Sequence, residues 1–458
     1  MLFGSVLLHD SSYIITGSTY GSVPNVVKAM TADINASGTV TKLKILMDST
    51  NSTYTLFSNA LIENSSGKFV FTGKSQDSLS YLLFGISDKN LDSVSLFRYY
   101  TPNTLTYYGY DLVQHEGAYF VAGIRIDSVG YNSNVVLTKI DSSGNRLWEK
   151  YYDQYYRDYA ASIVKLSNGN LLLGCVREDL NQTLEHANTW LIEVDTGGHM
   201  VRQWFDPNDS TYATEGLLQT QDGGFIYCAQ KKNEQTVNDV YKLATIVKLD
   251  NNFNKQWTFS GGFQGTVTGF TDIVELTDGS FVACGKDNYR NGWIVKLTAN
   301  GDVIWDKKYV GIVDNGSENY LTDIDVMPDG GFIAVGQCQF LGHNPSQVGW
   351  FLKLDSNGCE TENCLLGLND EYAVTESGGI KLYPNPAQND VTVEYNNILQ
   401  NSQLFICDVL GNLIETKILN GLNGKLTLNT SGYQNGIYVA RVEADGKFLF
   451  KDKFTILK

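Results

Sequence analysis

An internal repeat of about fifty residues constrains this chain more than any other feature of it. An aromatic residue or Leu, mostly apolar residues and a closing small residue recur at seven places. These are Tyr13–Gly17, Phe69–Gly73, Tyr119–Gly123, Leu171–Cys175, Phe225–Ala229, Phe281–Gly285 and Phe332–Gly336. Successive first residues lie 56, 50, 52, 54, 56 and 51 positions apart. Each unit has one order of parts. A short apolar run such as Asp272-Ile-Val-Glu-Leu leads to a turn such as Ser167-Asn-Gly, Gln221-Asp-Gly, Thr277-Asp-Gly or Pro328-Asp-Gly, and the signature strand follows. A variable loop then precedes a third strand, as at Trp190, Trp293 and Trp350. A turn opened by Asp141 or Asp355 introduces a fourth, which often carries Trp (Trp148, Trp257, Trp305). Asn-Gly and Asp-Gly predict type I′ hairpins, because these residues tolerate positive φ.

Four antiparallel strands per unit predict an all-β fold: a seven-bladed β-propeller over residues 1–358, or eight-bladed were a further unit to precede Met1. Aromatics at 12%, charges at only 18% and 44 Gly suit short strands and tight turns. Parts of the repeat resemble the Asp-x-x-x-Gly-x-x-x-Trp pattern of quinoprotein-type propellers. The Gly-Gly-Phe-Ile and Trp-x-x-Lys-Leu-Asp elements are similar to repeats of exported Bacteroidetes proteins. The seventh unit reaches its third strand at Trp350–Asp355 without a Trp-bearing fourth, and Met1-Leu-Phe-Gly-Ser lacks the basic and apolar parts of a signal peptide. Both observations predict lost upstream residues carrying an export signal and a closing strand.

The last 80 or so residues have a different grammar. Short alternating strands over 390–458, separated by turns at Leu410-Gly-Asn and Ala444-Asp-Gly, predict a small Ig-like β-sandwich over 380–458. The segment Tyr383-Pro384-Asn385-Pro386-Ala, the stretch Asp408-Val-Leu-Gly411-Asn, the strand Gly436-Ile-Tyr438-Val and the terminal Lys458 resemble the type A C-terminal sorting domain of the Bacteroidetes type IX secretion system. That resemblance implies passage through the outer membrane, release or anchoring at the surface, and the type IX secretion machinery as a partner. Residues 359–379 read as a polar, Gly-bearing linker. In an exported chain, Cys359 and Cys364 within it read as a small disulfide loop. Cys175, Cys228, Cys284 and Cys338 fall at the ends of similar strands and read as buried small hydrophobes.

A net charge of −16 opposes nucleic acid and anionic lipid as partners. No apolar run of about 18 residues suits a membrane-spanning helix. Two groups of residues are candidates for binding. Connections between units are rich in aromatics (Tyr107, Tyr108, Tyr155 and Tyr156 among them), whose rings would stack on the sugars of a glycan or pack between blades. Aligned on the repeat, Asp111, Ser162, Gly216, Asp272 and Asp323, with Glu215 beside Gly216, would ring one mouth of the central channel. Such carboxylates would hold Ca²⁺, which takes about six to eight oxygens, or would satisfy neighbouring backbone N–H groups. No other metal or cofactor is indicated. The five His are scattered, and no nucleophile elbow, zinc-protease or phosphate-loop pattern occurs. Three functions follow in order: an exported or cell-surface binding or adhesion scaffold recognising a glycan or surface protein; an extracellular enzyme on polysaccharide or peptide using channel acids; and a structural surface protein.

Overall fold

The computed structural model describes residues 2–9, 12–20, 27–35, 40–46, 53–128, 132–152, 157–178, 187–206, 211–232, 242–262, 268–287, 291–310, 318–339, 347–360, 379–396, 402–408, 413–444 and 447–458. The chain divides into two compact units, Met1–Glu360 and Thr361–Lys458. All regular structure among the described residues is β-strand.

In the first unit, strands follow one another as antiparallel meanders. Seven first strands open successive sheets: Leu2–His9, Thr53–Glu63, Thr104–His115, Arg157–Lys165, Thr211–Gln219, Gly269–Glu275 and Glu318–Val326. Sheets 1 to 6 continue with three further strands each, and sheet 7 with two, Phe332–Gln339 and Gln347–Leu354. Sheets 3 and 4 touch through a parallel bridge between Ser133 and Arg157. The repeat signature is the second strand of every sheet. Its run of consecutive buried residues, as in Phe69–Gly73, has no polar alternation because neighbouring sheets cover both faces.

Each neighbouring pair of sheets shares one apolar cluster. A seventh cluster joins the last sheet to the first, placing Tyr13, Ile15 and Ile34 against Met327, Ile333 and Val335. Successive sheets packed face to face in this way have the architecture of a β-propeller. Trp190 and Trp293 are fully buried between sheets. Trp293 lies 4.5 Å from the Phe270 ring.

Aromatics on the fourth strands lock one sheet to the next. Tyr99, Tyr152 and Tyr309 end fourth strands. Their hydroxyls donate to the carbonyls of Gly144 (2.6 Å), Gly198 (2.9 Å) and Gly358 (2.7 Å), each in a turn of the following sheet. Trp257 Nε1 donates to Ala299 O in the same way, at 3.0 Å.

Two local features differ from the sequence expectation or explain it. The Asn-Gly and Asp-Gly turns are not type I′: Gly169, Gly223, Gly279 and Gly330 have positive φ, whereas Asn168, Asp222, Asp278 and Asp329 do not. The Asx side chain instead accepts a bond from the N–H two residues on, as in Gly224 N to Asp222 Oδ1 (2.9 Å) and Asn170 N to Asn168 Oδ1 (2.9 Å). The glycine closing the signature has a packing reason. A Cβ on Gly73, Gly123, Gly285 or Gly336 would lie 2.1, 1.9, 2.0 or 2.0 Å from a carbonyl oxygen of the first strand in its own sheet. That carbonyl precedes a β-bulge, which the first strand carries in each of these sheets.

The second unit has a three-stranded sheet (Gly379–Tyr383, Asp390–Asn396, Gly424–Asn429) and a four-stranded one (Leu413–Ile418, Gln403–Asp408, Gly436–Ala444, Lys447–Ile456). One core serves both: Val391, Val393 and Leu428 from the first pack with Leu404, Ile406, Ala440, Val442 and Phe454 from the second. Alternation of buried and exposed residues along Asp390–Asn396 follows from one covered and one open face.

Candidate functional site

First strands line the axis of a propeller, so their register decides what the channel presents. Asp111 pairs with Ala122, Ser162 with Gly174, Asp272 with Cys284 and Asp323 with Val335, always opposite the fourth residue of the signature. In sheet 5 the residue in that register is Glu215, opposite Cys228. This corrects the sequence alignment, which put Gly216 in the ring and Glu215 beside it. Gly216 has its own task. Its φ is +55°, and a Cβ there would lie 2.8 Å from Asp272 Cα, so only glycine lets these two first strands touch.

The bulge before each ring residue turns a backbone N–H of the first strand away from its ladder, and the carboxylates take up these donors. Asp111 accepts from Leu112 N (2.6 Å) and, across the sheet boundary, from Ile163 N (2.8 Å). Asp272 accepts from Ile324 N at 3.1 Å, and Asp323 accepts from the same N–H at 3.0 Å. The Asp323 side chain also pulls Asp272 down, against the larger effect of burial. Burial pushes Asp111 up to about 8 and Asp272 up to about 6, against the pull of their N–H donors. These oxygens are committed to neighbouring strands. Among the described residues no three His, Cys, Asp or Glu side chains are grouped to hold a metal ion.

Glu215 behaves differently. Its side chain is exposed in surface area and accepts no hydrogen bond from the described residues, yet crowding by protein drives its carboxyl up to about 7. The two facts disagree only if burial means lost area. A group standing in a walled channel has both open area and poor solvation, and the open area argues for a smaller shift than crowding alone would produce. Lys286 opposes the rise and Asp272 adds to it.

Above the ring lies a set of tyrosines that the sequence reading did not assemble. Tyr108, Tyr159, Tyr212 and Tyr320 occupy one register position, opposite Ile124, Val176, Gln230 and Gln337. Each stands three residues before a ring residue, and that spacing was the available signal. Tyr108 lies 5.8 Å from Tyr110, the bulge residue, and Tyr110 lies 6.2 Å from Tyr159. Lys74 Nζ donates to the Tyr108 hydroxyl at 3.1 Å, and Lys286 stands 5.5 Å from the Tyr320 ring. Tyr108, Tyr110, Tyr159 and Tyr320 are all half-buried. Tyr107 is not part of this surface. It is fully buried, sharing a hydrogen bond with Thr138 Oγ1 at 2.8 Å and donating to Glu149, so no ligand can reach its ring. Tyr155 and Tyr156 lie outside the described residues.

In the second unit the motif residues tie the strand entering the sandwich to the last strand. Asn385 Nδ2 donates to Lys453 O (3.1 Å), and its Oδ1 accepts from Thr455 N (2.9 Å), so the side chain stands in for a paired backbone between Pro384 and Pro386. Tyr383 donates to Glu394 (3.0 Å) and accepts from Lys425 (3.0 Å). Tyr438, in the strand opened by Gly436, stacks on Phe454 at 5.7 Å. Lys458 Nζ donates to Ser431 O (2.6 Å) and Tyr433 O (2.7 Å). Gly411 lies outside the described residues, as does Cys364. Cys359 is buried, and its Sγ lies 3.3 Å from Lys307 Nζ.

Residues 381–456 match the family model of the secretion system C-terminal sorting domain, and the tail is of that kind. It implies secretion to the cell surface or beyond and interaction with the secretion machinery. No helix among the described residues is long and apolar enough to cross a membrane. No curated protein matches the chain in sequence. Among solved structures, PorZ, an essential bacterial surface component of the type-IX secretion system of Porphyromonas gingivalis, aligns at 9% identity and TM-score 0.36, over 100% of this chain and 70% of its own. The β-propeller domain of the Trilobed protease from Pyrococcus furiosus aligns at 11% and 0.44, over 76% and 92%. Pyrococcus horikoshii acylaminoacyl peptidase aligns at 10% and 0.45, over 88% and 59%. Likenesses this distant carry no functional argument.

Proposed function

We propose that this chain is a binding module delivered to the cell surface or the exterior. In this reading residues 1–358 are a seven-bladed propeller closed by side-chain packing between its first and last blades. Residues 359–379 are a linker with a Cys359–Cys364 disulfide loop, and residues 380–458 are an Ig-like sorting domain. The observation that carries the binding role is the arc of half-buried tyrosines and charged groups at the channel mouth. It sits at the end of the sheets where the connections vary in length, the usual place for binding on a rigid scaffold. The enzyme reading draws less support, because Asp111, Asp272 and Asp323 spend their oxygens on strand N–H groups.

Two measurements test these roles separately. Removing residues 380–458 should strand the protein in the periplasm, and its appearance outside the cell would overturn the address. Full-length protein should bind a member of a glycan or a peptide array through the mouth. Silence on both would favour a structural surface protein, whereas turnover of a polysaccharide or peptide would restore the enzyme.

A further inference from the structure

We propose that the channel mouth takes one residue of a saccharide, its ring stacked on Tyr108, Tyr110 and Tyr159 and its hydroxyls met by Glu215. The inference rests on the binding reading above and names its ligand class.

Three observations support a sugar over a peptide. First, an extended peptide needs an unpaired strand edge, and the edges facing the channel are already capped: Asp111 holds Ile163 N and Asp272 holds Ile324 N. Second, the bulge re-aims Tyr110 between Tyr108 and Tyr159, giving three tilted rings within 5.8 and 6.2 Å of one another on adjacent sheets. An aromatic cluster with a few polar groups beside it is the usual make-up of a small-molecule site. Third, the polar group is of the right kind. Glu215 is the one ring carboxyl that accepts nothing from the described residues. An exposed carboxyl with free acceptor capacity beside aromatic rings suits the hydroxyls of a sugar, which are donors.

The test uses the full chain on an oligosaccharide array and a peptide array, with hits titrated by calorimetry. A saccharide hit should weaken about tenfold or more in Y159A, remain in Y159F, which keeps the ring, and change its sugar preference in E215Q. Melting temperature reports whether Y159A is folded, and Y108A serves if it is not. A saccharide hit indifferent to all these variants would overturn the site. A peptide hit lost in Y159A would overturn the ligand class and leave the binding reading standing. Silence on both arrays would overturn both.

Discussion

The two ends of each sheet treat the same side chain in opposite ways. At the short-turn end, Asp141, Asp195 and Asp250 each accept two backbone N–H bonds inside one turn, and bonds from Asn145, His199 and Asn254 hold them below the usual carboxyl range. Ser93 and its neighbours take Asp88 down to about 2. At the channel end, Asp111 also accepts two N–H bonds, yet burial raises it to about 8. Donor number is therefore not what separates the two ends. Water solvates the turn carboxylates and is kept from Asp111, so the same hydrogen bonds stabilise an anion at one end and fail to offset its desolvation at the other.

The comparison is best tested with paired substitutions. Gly216 and Gly169 both have positive φ, but a Cβ meets Asp272 at the first and nothing within 4 Å at the second. G216A should cost about 2–5 kcal/mol of unfolding free energy, combining left-handed strain with overpacking, and G169A only about 1–2. Equal losses in denaturant titrations would refute the close approach of the two first strands. Next in size, D111A leaves Ile163 N–H buried without its acceptor and should cost about 1–3 kcal/mol. D195A exposes its N–H groups to water and should cost less. The smallest contrast is in pH. Asp111 and Asp272 are raised, so the folded chain holds more protons than the unfolded one above about pH 4; their stabilisation is complete below that and lost as pH rises through about 6 to 8. The lowered turn carboxylates work the other way, stabilising above about pH 4 and losing this as pH falls further. Melting temperature should therefore rise on acidification from pH 8 to 5 and fall below about 4. D111N should flatten the rise, and a wild-type curve level from pH 8 to 5 would contradict the raised carboxyls.

Legibility followed the range of the interactions. The units, their strand order and their turn positions were readable because each depends on residues a few positions apart. Phe69–Gly73 announces a doubly covered strand by itself, and Asp250 closes its turn with donors no further away than Asn254. The sorting tail was likewise legible in Tyr383-Pro-Asn-Pro and Gly436-Ile-Tyr-Val. Turn type was misread because the Asx residue acts through its side chain and not through positive φ. The ring was misaligned by one residue at Glu215 because bulges shift register, and pairing with a second strand sets their position.

By itself the sequence determined an all-β chain of repeated four-strand units and an export tail, since period, apolar runs and turn chemistry are local properties. Only the tertiary structure decided which residues meet at the mouth. Tyr107 and Tyr108 are adjacent in sequence, yet one is sealed between sheets and the other half-buried at the channel, because alternate residues of a strand point to opposite faces. Asp111 and Glu215 occupy one register, but Asp111 ties two strands together while Glu215 stands exposed. That choice depends on bulges and sheet contacts some fifty residues away in the chain, which no local pattern records.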